Sequence, residues 1–346
     1  MKNRLTALLL VLLAFQVHAQ QRPHYTQYIL NNFIINPAVA GIENYWDVKV
    51  SHRQQWVGLD GAPQTTYLTV QGPLHKSDYE QESVTGFHAS GENPRGRAYW
   101  QDYTAPDPHG GFGLTVINDR TGPLNRFSAS AAFAYHIGLS PKTNLSAGLQ
   151  AGIQQMNLNA GKLDFGTLNP VDPAVAGSGK INKIRPDLSA GLWLYSSNYF
   201  VGLAAQNIIP EGVGFDGGRV VGDSIVLLKG KLVPHLFFSA GYRTFLSEDI
   251  SLLPSLMVKY VQPAPVSVDF NLKAQYQDLF WVGGTVRYKD GFAAMVGMNI
   301  NSGINIGYSY DFTATRLNTV SYGTHEIVVG FSLGNKYGDW CPRNIW

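Results

Sequence analysis

Ten ionisable side chains share a position type. Asp47, Lys49, Arg53, Arg243, Lys259, Asp269, Lys273, Arg287, Asp311 and Glu326 each fall on the polar face of an alternating segment. Six are basic and four acidic. Mixed signs in a confined interior make ion pairs or tune permeation, or simply fill a wet space, whereas a single-sign lining would mark a selective pore. The side chains that carry out bond chemistry form no recognisable constellation. There is no His-Glu-x-x-His, no Walker loop and no Gly-x-Ser-x-Gly. The nine histidines are scattered away from ligand spacing, and His136 and His235 stand on polar faces, where a solvated or hydrogen-bonded imidazole is expected. A single cysteine rules out a disulfide scaffold and a Cys-based structural zinc site. The sequence therefore points to no catalytic residue, no metal site and no cofactor.

The elements that position these residues repeat one pattern. Val266, Val268, Phe270, Leu272 and Ala274 oppose Ser267, Asp269, Asn271, Lys273 and Gln275. Phe127, Ala129, Ala131, Phe133, Tyr135 and Ile137 fall on one face of their segment, and Ile304, Ile306, Tyr308, Tyr310 and Phe312 on one face of theirs. Period two over such lengths is a strand with one apolar face, since helical spacing would mix Asp269 and Lys273 into the apolar stripe. Fourteen segments show it: 44–54, 63–72, 111–119, 125–138, 142–156, 184–196, 198–207, 233–243, 248–260, 265–275, 279–288, 291–300, 303–312 and 323–333. An even number suits a single-chain outer-membrane barrel, and tilted strands of nine or more residues span a bilayer. An open edge in lipid would leave backbone groups unpaired, so the sheet must close. The expected fold is all-β, a 14-stranded antiparallel transmembrane β-barrel over residues 44–333.

Composition agrees. Of 346 residues only 14% are charged and 12% are aromatic. Mean hydropathy is −0.09, which excludes a polytopic helical membrane protein and favours alternation. A net charge of +2 gives no electrostatic case for nucleic acid. Lys2 and Arg4 precede the apolar run Leu5 to Val17, and Val17-His18-Ala19 offers small residues for a cut before Gln20, so 1–19 reads as a cleaved signal peptide directing the chain to the outer membrane. Residues 20–43 form an N-terminal segment at the periplasmic end or in the lumen, and 334–346 a tail. Connections alternate between tight turns such as Gln277-Asp278 and longer loops at 157–183, 208–232 and 313–322, which places the short turns in the periplasm. One long polar insert, 75–110, breaks the rule between strands two and three. Trp46, Tyr67, Tyr199, Tyr242, Tyr260, Tyr288 and Tyr310 read as outward aromatic girdles. On this parity an Arg at Phe270 faces lipid, while an Arg at Asn271 faces the lumen and should be tolerated.

Four blocks stand in order along the chain. They are His24-Tyr-Thr-Gln-Tyr-Ile-Leu-Asn-Asn-Phe-Ile-Ile-Asn-Pro-Ala-Val-Ala-Gly41, Arg53-Gln-Gln-Trp-Val-Gly-Leu-Asp-Gly-Ala-Pro63, Val116-Ile-Asn-Asp-Arg-Thr-Gly122 and Ser321-Tyr-Gly-Thr-His-Glu-Ile327. Together they resemble the PorP/SprF family of the type IX secretion system of Bacteroidetes, over nearly all of the mature chain. The insert at 75–110 is longer than the link usual there. The resemblance implies an outer-membrane barrel that supports secretion or surface attachment of proteins with a C-terminal sorting domain, such as gliding adhesins. Its implied partners are outer-membrane lipid, secretion-system components and that cargo.

Each block also has a physical reading. The 24–41 segment is too apolar to float in periplasm, so Phe33, Ile34, Ile35, Asn36 and Pro37 must pack in the lumen mouth or on a partner. Asp60-Gly61 is a turn signal, and its neighbours Trp56, Val57 and Leu59 are apolar at an external rim. That loop either folds over the barrel or forms a docking patch. Partner contacts are expected from both segments, lying at opposite ends of the barrel. The rival readings are a passive outer-membrane channel for a small or hydrophobic solute, and an enzyme that brings Ser and His together across strands.

Overall fold

Alternating side chains satisfy lipid outside and a polar interior inside only if both edges of every strand are paired. The computed structural model pairs them all around a ring. It describes residues 25–76, 104–159, 180–209, 219–221, 224–226, 233–262, 264–277, 279–288, 290–301, 303–314 and 319–334. The strands are β1 (Trp46–Gln54), β2 (Gln64–Leu74), β3 (His109–Thr121), β4 (Leu124–Ser140), β5 (Thr143–Asn159), β6 (Lys180–Tyr195), β7 (Tyr199–Gln206), β8 (Arg219–Val221), β9 (Ser224–Val226), β10 (His235–Tyr242), β11 (Thr244–Phe245), β12 (Ile250–Val261), β13 (Ser267–Tyr276), β14 (Phe280–Arg287), β15 (Gly291–Asn301), β16 (Ile304–Thr313) and β17 (Thr324–Leu333). β8 and β9 pair only with each other, and β11 is a two-residue continuation of β10 along β12. Among the described residues the other fourteen form the wall, every pair antiparallel. The ring closes where β1 meets β17, from Trp46 opposite Leu333 to Gln54 opposite His325. Closure removes the edges that lipid could not satisfy.

The strand ends fall within a few residues of the alternating segments. The differences concentrate on one side of the ring. β4 and β5 each run 17 residues and β6 runs 16, well beyond the roughly 9–11 a tilted strand needs to cross a bilayer. This side of the wall therefore rises past the lipid. The outer face is apolar, with Leu114, Phe133, Leu149, Phe270, Val286 and Phe292 all exposed. Tyr242, Tyr260 and Tyr288 are exposed near strand ends, as girdle residues would be. Tyr67 departs from that expectation. It is 2% exposed and faces inward, in register with Ser51 and edge-on to Tyr25, so it belongs to the interior.

The interior is packed rather than wet. Residues 25–45 run the length of the lumen through three short 3₁₀ segments, Thr26–Leu30 (kinked at Gln27), Asn32–Ile34 and Pro37–Val39. Thr26 meets Arg53, Asp311 and Glu326 at the end where β1 finishes. Ile42 meets Lys76 at the end where β1 begins. Two apolar clusters hold this plug. Phe33, Val39 and Ile42 pack with Trp193, Phe200 and Leu253, and Tyr28, Ile34 and Ile35 pack with Tyr67, Met257, Trp281 and Met295. Inward Trp, Met and Phe break the polar-inside rule because their partner is the plug, not water. The expected leader 1–19, most of the insert (77–103) and the tail beyond 334 lie outside the described residues.

The packed lumen corrects one expectation. Asn271 does face inward, but it is 5% exposed, donates to the Tyr28 hydroxyl and accepts from Thr285 at 2.7 Å. An Arg there has no room beside Tyr28. Phe270→Arg should lower the assembled, heat-modifiable fraction, because a midplane lipid-facing Arg costs about 2–4 kcal/mol. Asn271→Arg should assemble but displace the plug, which reads as raised conductance in planar bilayers. Equal behaviour of the two variants in both assays would contradict this register.

Candidate functional site: a plug, its clamp and the rim above it

The Asn-Pro-Ala-x-Ala-Gly block explains how a chain can lie flat on the inside of a sheet. Gly111, Ala134, Gly148, Gly191 and Ala204 occupy one continuous cross-strand row from β3 to β7, all facing inward. Residues 36, 38 and 40 step along that row. Asn36 sits over Gly191, Ala38 over Gly148 and Ala40 over Gly111, and a Cβ at any of these glycines would collide with the plug. Asn36 fixes the local turn, its side chain accepting from the Ala38 N–H at 3.0 Å, with Pro37 opening the 3₁₀ turn that follows. The Asn36 amide nitrogen donates to the Leu192 and Leu203 carbonyls at 3.0 and 3.1 Å. The wall then reads the plug backbone. Ser146 donates to the Ala38 carbonyl at 2.6 Å, His136 Nε2 to the Ala40 carbonyl at 2.7 Å and Lys76 to the Ile42 carbonyl at 2.8 Å. Gln206 donates to both the Ile34 and Ile35 carbonyls. His109 stacks on His136 with ring centres 4.6 Å apart and lies 3.2 Å from the Gly41 carbonyl. A buried backbone carbonyl must find a donor, and these side chains supply them.

At the other end of the plug, Thr26 is the centre of an ionic clamp. Its hydroxyl donates to Asp311 at 2.6 Å and accepts from Arg53 Nη1 at 2.7 Å and Arg287 Nη2 at 2.6 Å. Its N–H donates to Glu326 at 2.8 Å, and Gln27 donates to the Glu326 carbonyl at 2.9 Å. Arg53 bridges Asp311 at 2.6 Å and Glu326 at 2.9 Å, while Arg287 lies 3.2 Å from Asp311 and 3.6 Å from Asp269. All five charged groups are buried. Burial makes each hydrogen bond strong and each orphaned charge costly.

The structure brings only some of the sequence-chosen charges together. Arg53, Asp269, Arg287, Asp311 and Glu326 form the clamp. Lys49 pairs with Asp47 near the opposite end. Lys273 lies over the Trp281 ring, 5.7 Å from its centre. Arg243 is buried in the wall, and Lys259 is buried diagonally beside Asp269, two residues on from Met257, the cross-strand partner of Asp269. Inward parity also gives five charged residues that the sequence reading left out: Asp119, Arg126, Lys183, Arg185 and Asp187. Asp119 accepts from Thr65 at 2.7 Å, and Arg185 is 5% exposed. The same period-two count along β3, β4 and β6 marks them. Asp119, Arg126, Arg185 and Asp187 lie within the alternating segments themselves, so the signal was present in the sequence, and Lys183 falls one residue before its segment.

Phe33, Ile34, Ile35, Asn36 and Pro37 are all buried inside the wall. The expectation of partner contacts from them is corrected: their apolar surface is spent on the plug's own packing. Nor do the two motif segments sit at opposite ends, because the plug starts beside the 55–63 loop. Trp56, Val57 and Leu59 are half-buried there and Asp60 is exposed. The loop is stitched to the last strand. Trp56 N–H donates to the Thr324 hydroxyl at 3.2 Å, Val57 N–H to the Gly323 carbonyl at 2.9 Å and Tyr322 N–H to the Val57 carbonyl at 2.8 Å. Gly122 N–H reaches the Gly61 carbonyl at 2.8 Å. Trp56 takes φ of 46°, a left-handed conformation that a bulky residue adopts only when its surroundings hold it. Tyr322 and Val320 complete this rim as its most exposed apolar side chains among the described residues, at 76% and 57%. The start of the first block thus meets the other three blocks at one end of the barrel.

A closed fourteen-stranded wall with an apolar outer belt and a plugged lumen defines an outer-membrane β-barrel. The chain belongs to the type IX secretion system membrane protein PorP/SprF family, whose model matches residues 17–331. No curated protein matches the sequence. Among solved structures the chain is similar to the Ralstonia pickettii toluene transporter TbuX, at 11% identity over 86% of this chain and 92% of that one, TM-score 0.48. It is also similar to the Pseudomonas putida toluene transporter TodX, at 11% identity over 90% and 95%, TM-score 0.46, and to the KdgM porin, at 11% over 83% and 99%, TM-score 0.35. Likeness at that level says nothing of ligand or activity.

The clamp gives a graded prediction. Glu326→Gln takes one of the two carboxylates from Arg53 in a buried site and leaves Asp311, so it should cost part of the roughly 3–5 kcal/mol that fully orphaning a buried charge costs. Its urea midpoint should fall markedly. Thr26→Val removes the plug's hydroxyl from the network and leaves the wall ion pairs and the Thr26 N–H and Gln27 bonds to Glu326 intact. It should keep most wall stability while the plug becomes cleavable by protease in proteoliposomes. Protection equal to that of the unaltered protein would show that Thr26 does not anchor the plug.

Proposed function

We propose that this barrel is a non-enzymatic component of type IX secretion that works by binding at its rim rather than by conducting through its lumen. The observation that carries the reading is the plug. Residues 25–42 occupy the lumen along its length and are held by two apolar clusters, a carbonyl-reading row and an ionic clamp. A wall so filled offers its ends and outer surface to other proteins. Family membership supplies the process, and the rim supplies a place. Trp56, Val57, Leu59 and Asp60, with Tyr322 and Val320, form an apolar patch bordered by polar loop residues, of the kind that marks protein–protein contacts. The ligand is cargo bearing a C-terminal sorting domain, gliding adhesins among them, held for secretion or surface attachment. The orientation is short turns in the periplasm and the rim outside, with the signal peptide removed before Gln20.

Two measurements test this. A tag inserted at Gly61 should be reachable on intact cells and one at Lys142 should not; the reverse would invert the barrel. Trp56→Ala combined with Leu59→Ala should leave a normally assembled, heat-modifiable barrel and abolish cargo secretion or attachment, since one lost aromatic anchor can cost about 2 kcal/mol or more. Retained cargo handling with altered conductance would instead mean that the loop only caps the plug.

A further inference from the structure

The tall side of the wall carries a second polar feature, on its outside. Arg120, Asn125, Asn157 and Asn182 form one continuous cross-strand row from β3 to β6. They share the outward parity of Leu114, Phe133, Leu149 and Ile184. The next row towards the bilayer is Asn118, Phe127, Gln155 and Ile184, half polar. The row below that, Val116, Ala129, Ile153 and Pro186, is wholly apolar. Within three rows the outer face passes from amides and a guanidinium to hydrocarbon. That is the profile of a lipid headgroup boundary.

A cavity of about 500 Å³ opens among Asn118, Arg120, Asn125, Gln155, Asn157 and Asn182, roofed by the Gly122–Pro123 turn. Among the described residues no carboxylate lines it. Gln155 donates to Asn182 at 3.0 Å, which orients two of the amides. Asn125 Oδ1 is buried and has no hydrogen-bond partner among the described residues.

We propose that this pocket binds the phosphorylated saccharide headgroup of the outer leaflet's glycolipid. Amide side chains donate and accept at once, which matches the hydroxyls of a sugar. The Arg120 fork matches a phosphate. A sugar phosphate in this site places its acyl chains directly on Phe127, Ile153 and Ile184 below. That continuity selects a membrane glycolipid over a soluble or protein-borne glycan. The proposal rests on the orientation given above, in which this end faces the outer leaflet.

The test uses the full processed barrel in detergent, with rough-type lipopolysaccharide as probe and native mass spectrometry as readout. Asn125→Ala with Asn157→Ala, and separately Arg120→Gln, should each weaken lipopolysaccharide binding roughly tenfold, the scale of one or two lost hydrogen bonds. Heat-modifiability confirms that each variant is folded, and phosphatidylethanolamine binding to the belt should not change. Undiminished lipopolysaccharide binding by the folded variants would overturn the proposal. So would equal affinity for phosphatidylglycerol, which would mean that the pocket reads charge alone. Binding of deacylated core oligosaccharide as tight as that of intact lipopolysaccharide would overturn the membrane source. Labelling of Arg120→Cys on intact cells tests the orientation by itself, so failure of the topology and failure of the pocket are told apart.

Discussion

A strand in hydrocarbon has no water to satisfy its backbone, and every other feature of this molecule follows from that one constraint. The ring must close, so the first and last wall strands must meet, and Trp46–Gln54 pairs along its whole length with Thr324–Leu333. Fourteen strands then enclose a space wider than inward side chains fill unaided. The chain supplies the filling from its own N-terminus before the first strand begins. This order makes topological sense. A segment that precedes β1 can be wrapped by the wall as it closes, whereas a plug from a mid-chain loop would have to be inserted afterwards.

The wall was legible in the sequence because lipid enforces period two without exception on the outer face. Strand number, antiparallel order, closure and most strand ends could be read from residues such as Phe270 and Asn271. The interior was not legible to the same rule. Trp193, Phe200, Met257, Trp281 and Met295 sit on faces where a wet lumen would demand polar residues, and Tyr67 was assigned to the wrong face for that reason. Their identity answers to the plug, which contacts them across sequence gaps of more than a hundred residues. The plug in turn has no strong helical or strand period. Its turns are set by Asn36-Pro37 and by carbonyls that seek donors on the wall, information carried by the partner rather than by the segment.

The glycine row shows how far such information could have been recovered. Gly111, Gly148 and Gly191 each fall on the inward parity of a long strand, where glycine otherwise weakens pairing. A single inward glycine has many explanations. Three in one register row, beside Ala134 and Ala204, have one: another backbone lies against them. What blocked the inference was the register itself, since alternation assigns a face to each residue but not the opposite number on the next strand.

The rim and the clamp share strands, which ties the two ends of the argument. Arg53 precedes Trp56 by three residues, and Thr324 precedes Glu326 by two. The hydrogen bonds that pin Trp56 and Val57 to Gly323 and Thr324 therefore extend the same β1–β17 seam that carries Arg53 and Glu326 inward. Across that seam the outward surface presents the rim, and the inward surface grips Thr26. The family's separate sequence blocks are in this sense one structure. The first block is what is gripped, the second and fourth build the seam, and the third, through Gly122 and Asp119, braces its neighbour. Residues that meet at a single seam constrain one another from both faces, which is why the four blocks stand out where the lipid-facing strands between them require only alternation.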